Sequence, residues 1–332
     1  MRIKSNEMYN QFLKILLKFG FSLEKAKLSA KLFTESSLDG YYSHGLNRFP
    51  QYISSITNGY MKVNNEPKNI NSIGVLEQWD GQLGPGNINA YKSMERSIDM
   101  AKKNGIGCVA LRNTNHWMRG GSYGWQAVES DCIGICWTNT IPNMPPWGSI
   151  ESKLGNNPII FAIPNTNKHI VLDIAVSQFS YGQLSNFSNE NKILPVDGGY
   201  NNNGQLTKKS TEILDSKRPL PIGFWKGSGL SLVLDLIAMI LSGGNSSYDI
   251  GNLNHEYAVS QVFITFDLKR LPENNLIHEK IKKTIDNLHM SLPVDKNKKV
   301  LYPGEGTLLR RKENSEKGIP VDHKIWADIL KM

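Results

Sequence analysis

Four short apolar runs decide what this chain can fold into: IGCVALR (106–112), IGICWTN (133–139), NPIIFAIP (157–164) and HIVLDIA (169–175). Each is rich in Ile and Val, has the length of a strand and ends in a polar loop. Residues 121–130 between them read as a helix, and QVFITFDL (261–268) reads as a further strand. Strands alternating with helices predict a mixed α/β sheet.

The N-terminal end has a different period. Met8, Phe12, Ile15, Leu16 and Phe19 recur at helical spacing and are closed by Gly20. Ser22 can cap a second helix, with Glu24 near its start, running to about Asp39. A third helix is expected over about 47–58. The first sixty residues therefore predict a helical lobe. Residues 67–79 read as extended, 80–86 as a glycine-rich turn, and 87–104 as an amphipathic helix stopped by Asn104-Gly105. A strongly apolar helix is expected over 226–241, another over 277–288, and a helical turn over 326–330. The expected division is a lobe over 1–75, joined by 290–332, and an α/β domain over 76–289.

At 332 residues, 39% hydrophobic and 20% charged, the chain has the composition of a globular protein. Its formal charge of +8 raises nucleic acid, an anionic membrane and anionic small molecules as partners. The lysines are scattered, and no basic run exceeds one like Lys296-Asn297-Lys298-Lys299, so no nucleic-acid partner is expected. The three cysteines, Cys108, Cys132 and Cys136, are too few for a disulfide framework. Cys132 and Cys136 lack further Cys or His ligands nearby, so no metal site is expected. The N-terminal apolar stretch is broken by Lys14 and Lys18 and lacks a small-residue cleavage site. No segment holds eighteen consecutive apolar residues. The expected address is the cytoplasm, with no membrane partner.

The dinucleotide fingerprint GxGxxG is absent. Gly81, Gly84 and Gly86 have the wrong spacing and enclose Pro85, and no P-loop occurs. Two other loops carry chemistry. In YSHGLNRF (42–49), His44 and Arg48 lie four apart and would share one face of a helix. Imidazole exchanges a proton with a carbonyl or hydroxyl near neutrality, and guanidinium grips a carboxylate through two parallel hydrogen bonds. The pair suits a 2-oxo acid; a capped helix with a solvated Arg is the plainer alternative. In RNTNHWMRGGSYGW (112–125), His116 and Arg119 follow a strand and precede a glycine-rich turn. Two His/Arg loops facing one cleft would make an anion site; a tight turn with Asn113 and Asn115 bonding backbone is the alternative. Asp173, inside an apolar strand, needs partners, from a ribose or from neighbouring backbone. Asp197 can orient a histidine or simply occupy a β-turn. Lys226 can meet an anion at the start of the apolar helix.

SHGLNRFPQYI, RNTNHWMRGGSYGWQA, MPPWG, LGNNP, FSYGQL, LPVDGGYNNNGQLTK and GFWKGSGLSLVLDLIA together resemble the malate/L-lactate dehydrogenase family that lacks a Rossmann fold. The similarity runs from about residue 8 to the C-terminus. It implies a non-Rossmann mixed-sheet α/β fold with an N-terminal helical lobe, a homodimer, and a nicotinamide cofactor, NADH ahead of NADPH, bound on the 76–289 domain. It also implies hydride transfer to a small 2-oxo acid, with His44 as proton donor. Arg48 is then placed to hold the carboxylate, and Ser43, Asn115 and His116 line the substrate site. The family's cofactor contacts fall on His169, Ile170, Val171, Leu172, Asp173, Ile174 and Ala175, on Trp225 and Lys226, and on Gly304, Glu305 and Gly306. Near Asn167-Lys168 the chain carries one extra residue, which shifts the first stretch by up to one position. At 303–306 it reads PGEG where the family reads PGHE, which removes the expected side-chain contact at Glu305 but not backbone contacts. Rival expectations are another family substrate (malate, lactate, ureidoglycolate or a cyclic imino acid), a non-catalytic binder on the same fold, and a nucleic-acid binder with steeply salt-dependent affinity.

Overall fold

The computed structural model describes residues 1–332 apart from 167, 254 and 273 and the side chains of Asn274 and Asn275. After a short strand β1 (Arg2–Ile3), helix α1 (Ser5–Lys18) buries Met8, Phe12, Ile15 and Leu16, the stripe its spacing predicts. Ser22 caps α2 (Leu23–Leu38) by accepting the Lys25 N–H at 3.4 Å. The third helix, α3 (Phe49–Thr57), begins two residues later than expected, with Pro50 in its first turn. Before it, residues 42–48 form two 3₁₀ turns, Tyr42–His44 and Leu46–Arg48, separated by Gly45.

The chain continues through a hairpin of β2 (Lys68–Ile73) and β3 (Leu76–Asp80), then α4 (Gly86–Asn104), which ends at Gly105 in the left-handed region. Next come β4 (Ile106–Thr114), α5 (Gly121–Glu129), β5 (Cys132–Thr138), β6 (Ile159–Ile163) and β7 (Ile170–Ile174). They are followed by α6 (Tyr181–Asn189), the short strands β8 (Gly199–Tyr200) and β9 (Leu206–Thr207), and α7 (Ser210–Ser216). The rest is α8 (Trp225–Ser242), α9 (Ser247–Gly251), β10 (Val259–Asp267), α10 (Asn274–His289), α11 (Glu305–Lys317), β11 (Ile319–Pro320) and α12 (His323–Lys331). Helices α6, α7, α9 and α11 went unanticipated. The sequence of α11, EGTLLRRKENSEK, has no apolar stripe to read, and its buried residues are Thr307 and Asn314.

Seven strands form one sheet in the order β2-β3-β4-β10-β5-β6-β7. Only β3 and β4 run parallel; every other neighbouring pair is antiparallel. The sheet is therefore mixed, and it is not the parallel, doubly wound sheet that carries GxGxxG. Side-chain alternation splits its core in two. Leu111, Cys136 and Phe263 face α4 and α5, while Ala110, Trp137 and Val262 face α8. The expected boundary at 75 falls within the β2–β3 hairpin, both strands of which belong to this sheet.

A separate core joins α1, α2 and α3 to Ile319, Val321, Trp326 and Ile329 from the end of the chain. Strand β1 pairs with β11, setting Ile3 opposite Ile319. Helix α8 is long and apolar enough to cross a membrane by length and composition. Leu234 and Ala238 pack it onto the sheet, while Leu232, Val233, Leu236 and Ile240 lie exposed on its outer side.

Candidate functional site

The turn carrying His44 is built by close approach. The Ser37 hydroxyl accepts the Leu46 N–H at 2.8 Å, and a Cβ at Gly45 would fall 2.2 Å from that same oxygen. Only glycine fits there. The break at Gly45 (φ −106°, ψ −120°) means His44 and Arg48 do not share a helical face, as the spacing suggested. The Ser43 hydroxyl lies 3.0 Å from His44 Nδ1. Gly182 of α6 packs against Ser43, where a Cβ would come within 2.7 Å of the serine Cβ. The FSYGQL motif thus closes over the His44 turn, and Tyr181 anchors it by donating to the Asn143 carbonyl at 2.8 Å.

The second loop comes to the first. The His44 and His116 rings stack 21° from parallel with centroids 5.9 Å apart. His116 Nδ1 accepts the Met118 N–H at 2.9 Å, so a neutral His116 carries its proton on Nε2. Asn115 donates its amide to the carbonyls of Tyr60, Leu83 and Gly84 at 2.9–3.2 Å, which holds the loop rather than freeing the amide for a ligand. Asn113 (φ 50°) and Met118 (φ 66°) occupy the left-handed region, strain of a kind that clusters at functional sites.

Arg119 departs from the expected pair of anion-binding arginines. It is buried, donates to Asp39, lies 4.1 Å over the Tyr41 ring and reaches within 3.8 Å of Asp173. Asp39 also takes a hydrogen bond from Arg311. Arg119 is thus committed to an internal ion cluster that ties α2, α11 and β7 together. Arg48 shows the opposite arrangement: among the described residues its guanidinium has no ion pair and no hydrogen bond. It faces a cavity of about 290 Å³ lined also by Gln51, Tyr52, Asn115, His116 and Glu256.

Burial and like charge set the protonation states. Burial, with Arg48 and Arg119 nearby, pushes the His44 pKa down to about 4. Burial, then Arg48 and His44, lowers His116 well below the usual histidine range. Burial lowers Arg48 while Glu256 opposes it, and burial raises Glu256 against the Ile141 N–H and Arg48. At neutral pH both imidazoles are uncharged, and the free cation facing the cavity is Arg48.

The stretches expected to hold a dinucleotide lie on edge strand β7 or follow chain contacts at its two ends. At one end the Val171 N–H donates to the Pro303 carbonyl at 2.9 Å. Gly304 (φ +97°) sits so near that a Cβ would lie 3.0 Å from the Val171 nitrogen. Just past the other end of the strand the Ile222 N–H donates to the Val176 carbonyl at 2.9 Å, three residues before Trp225 and Lys226. Phe224, just before them, holds a strained φ of +60°. The N-termini of α8, which carries Lys226 in its first turn, and of α11 follow these two contacts, a donor set suited to a pyrophosphate. Gly304 and Gly306 leave room for close backbone approach, so these residues fit the group.

Two residues are committed elsewhere. Glu305 accepts from the Tyr302 N–H at 3.2 Å and bonds His289 at 2.9 Å, so its side chain closes its own helix start. Asp173 accepts the Gly121 N–H at 3.0 Å, the backbone partner weighed against a ribose. His169 accepts the Asn165 N–H at 3.1 Å. In β7, Ile170, Val171, Leu172 and Ile174 pair with β6, with Ala175 just beyond. Asn167, where the extra residue is expected, lies outside the described residues. Asp197 bonds no histidine among the described residues; it precedes the buried pair Gly198-Gly199. Asp39 and Glu256 were missed: each stands alone in the sequence, without motif spacing, and is significant only through partners distant in the chain.

The family model for malate/L-lactate dehydrogenase matches residues 3–330. The chain is 44% identical over 330 residues to the 2,3-diketo-L-gulonate reductase of Klebsiella pneumoniae (strain 342), covering 99% of each. Among solved structures it superposes on malate dehydrogenase from Pyrococcus horikoshii OT3 (TM-score 0.89, 29% identity, 100% of this chain and 95% of that one). It also superposes on sulfolactate dehydrogenase from Methanocaldococcus jannaschii (TM-score 0.88, 28% identity, 99% and 95%).

Proposed function

The chain belongs to the malate/L-lactate dehydrogenase family and is an oxidoreductase, and from that premise we propose that it reduces 2,3-diketo-L-gulonate to 3-keto-L-gulonate with a nicotinamide dinucleotide, His44 serving as proton donor. The observation that carries this reading is Arg48, without a partner among the described residues, facing the same small cavity as His116, whose ring stacks on that of His44. The names of the relatives at 44% identity supply the substrate.

In this reading Arg48 takes the substrate carboxylate in a bidentate grip. That orients the 2-oxo group toward the two imidazoles, which is the positioning part of catalysis. His116, with its proton on Nε2, hydrogen-bonds the carbonyl oxygen. His44 transfers a proton to that oxygen as the carbon is reduced. The nicotinamide, when bound, supplies the hydride. Backbone at Gly304, Glu305 and Gly306, strand residues 169–175 and Trp225-Lys226 would hold it. The carboxylate also neutralises Arg48, removing one of the charges that keep His44 unprotonated, so substrate binding favours the acid form that the reaction needs.

NADH is the expected donor and NADPH its alternative. The exposed outer side of α8, with Leu232, Val233, Leu236 and Ile240, fits burial against a second copy of the chain, which supports a homodimer. Three free cysteines accord with a reducing cytoplasm. The test is oxidation of NADH and NADPH, followed by absorbance, against 2,3-diketo-L-gulonate, oxaloacetate, pyruvate and glyoxylate-derived acids. Highest kcat/KM for the diketo sugar acid supports the reading; failure to reduce it overturns it. Ultracentrifugation tests the dimer.

A further inference from the structure

We propose that Glu256 is the specificity-determining residue of this cavity, selecting 2-oxo acids with a hydroxylated tail and rejecting those with a second anionic group. This rests on the reading of the cavity as a 2-oxo acid site. Glu256 lines the same cavity as Arg48, yet the two form no ion pair: no Arg48 nitrogen lies within 4.0 Å of the Glu256 carboxylate. A half-buried carboxylate and a half-buried guanidinium that share a small space ordinarily close on each other, because each otherwise bears part of a desolvation cost. Here they stay apart, and both line the cavity.

The backbone holds Glu256 in place. Its Oε2 accepts the Ile141 N–H at 3.1 Å, while Oε1 has no hydrogen bond among the described residues. An acceptor with one oxygen fixed and the other open is placed to take a donor from a ligand. The neighbouring wall has the same character: Gln51, Ser54, Ser55 and Asn58 line the cavity with neutral hydrogen-bonding groups.

With the carboxylate of a 2-oxo acid on Arg48 and its carbonyl at His44 and His116, the remainder of the molecule extends into space bounded by Glu256 and these polar side chains. A hydroxyl there donates to the open oxygen. A second carboxylate or a sulfonate meets like charge in a poorly solvated site, which is strongly unfavourable. A methyl group satisfies nothing and leaves the acceptor bare, the situation in which polar sites reject apolar analogues most sharply. One side chain thus separates hydroxylated acids from both dicarboxylic and alkyl ones.

The test compares the full-length wild type with Glu256→Gln and Glu256→Asp. For each protein, kcat/KM with NADH or NADPH is measured for 2,3-diketo-L-gulonate, oxaloacetate and pyruvate. Glutamine keeps the volume and the acceptor for Ile141 but removes the charge. We expect the preference for the diketo sugar acid over oxaloacetate to fall at least tenfold in Glu256→Gln, mainly through KM. Aspartate keeps the charge but withdraws it; oxaloacetate should stay excluded while KM for the sugar acid rises. A preference within twofold of wild type in Glu256→Gln, with unchanged circular dichroism, overturns the proposal and leaves the parent reading intact. If Glu256→Gln does not fold, Glu256→Asp decides: admission of oxaloacetate, or an unchanged KM for the sugar acid, overturns it. A wild type that reduces none of the three acids overturns the parent reading and this proposal with it.

Discussion

Arg119 donates to Asp39 in the interior of the molecule, with side-chain exposures of 3% and 0%. The contact joins the loop that carries His116 to the end of the helix that leads into the His44 turn. Arg311 adds a second cation to Asp39 from α11. Asp39→Ala removes the carboxylate that both cations share and leaves Arg119 only Asp173 at 3.8 Å, and removing one member of a buried pair costs about 3–5 kcal/mol. Chemical denaturation should show that loss, and turnover in the remaining folded fraction should fall because the two histidine loops lose their tie. A stability within 1 kcal/mol of wild type, on the order of a surface pair, would refute the structural role.

His44→Ala should abolish reduction, by roughly 100- to 10,000-fold in kcat. NADH binding, followed by the quenching of tryptophan fluorescence, should stay close to wild type, since the stretches proposed to hold the dinucleotide lie at β7 and its ends rather than at the His44 turn. Near-normal turnover would move the proton-donor role elsewhere, His116 being the next residue to test.

Arg48→Lys preserves the charge but not the two-pronged geometry. KM for the 2-oxo acid should rise by roughly 10- to 100-fold, the loss of one charge-assisted hydrogen bond, with a smaller change in kcat. An unchanged KM would mean that the carboxylate is held by another group.

The pH profile has a defined sign. With the His44 pKa pushed down to about 4, the free protein at pH 7 holds a neutral imidazole. Reduction needs the protonated form, so kcat/KM for the 2-oxo acid should fall as pH rises from 5 to 8. Oxidation of the hydroxy acid needs the neutral form, and its kcat/KM should be level above about pH 5 and drop as pH falls through 4. Stability follows the same groups. An unfolded histidine binds protons below about pH 6.5, whereas His44 and His116 resist them in the fold. The stability is complete above about 6.5 and is lost as pH falls toward 4. Matching pH profiles for the two directions would contradict the assignment.

Much of the architecture was legible because periodicity is local. The stripe of α1, the stop of α4 at Gly105 and the strands β4, β5, β6, β7 and β10 all follow from residues within a few positions of one another. The antiparallel insertion of β10 between β4 and β5 was not legible, since strand order depends on which distant faces bury each other. The His44 turn was half legible: the chemistry of HGLNR was evident, but the break at Gly45 depends on the approach of Ser37. Arg119 misled for the same reason, because its partner Asp39 lies in another helix. Helix α11 escaped notice because it is held by polar contacts, with Asn314 donating to the Leu38 carbonyl at 2.8 Å.

The pairing of β1 with β11 carries a consequence for synthesis. Ile3 finds its partner only when Ile319 has been made, and the core around Phe12 and Phe49 lacks Trp326 and Ile329 until then. The sheet consists of strands that are complete by residue 267 and can collapse earlier on the ribosome. The lobe bearing His44 is thus begun before the sheet and completed after it. A nascent chain released before residue 319 would present a formed sheet with the His44 lobe unfinished, and so be defective without being unfolded.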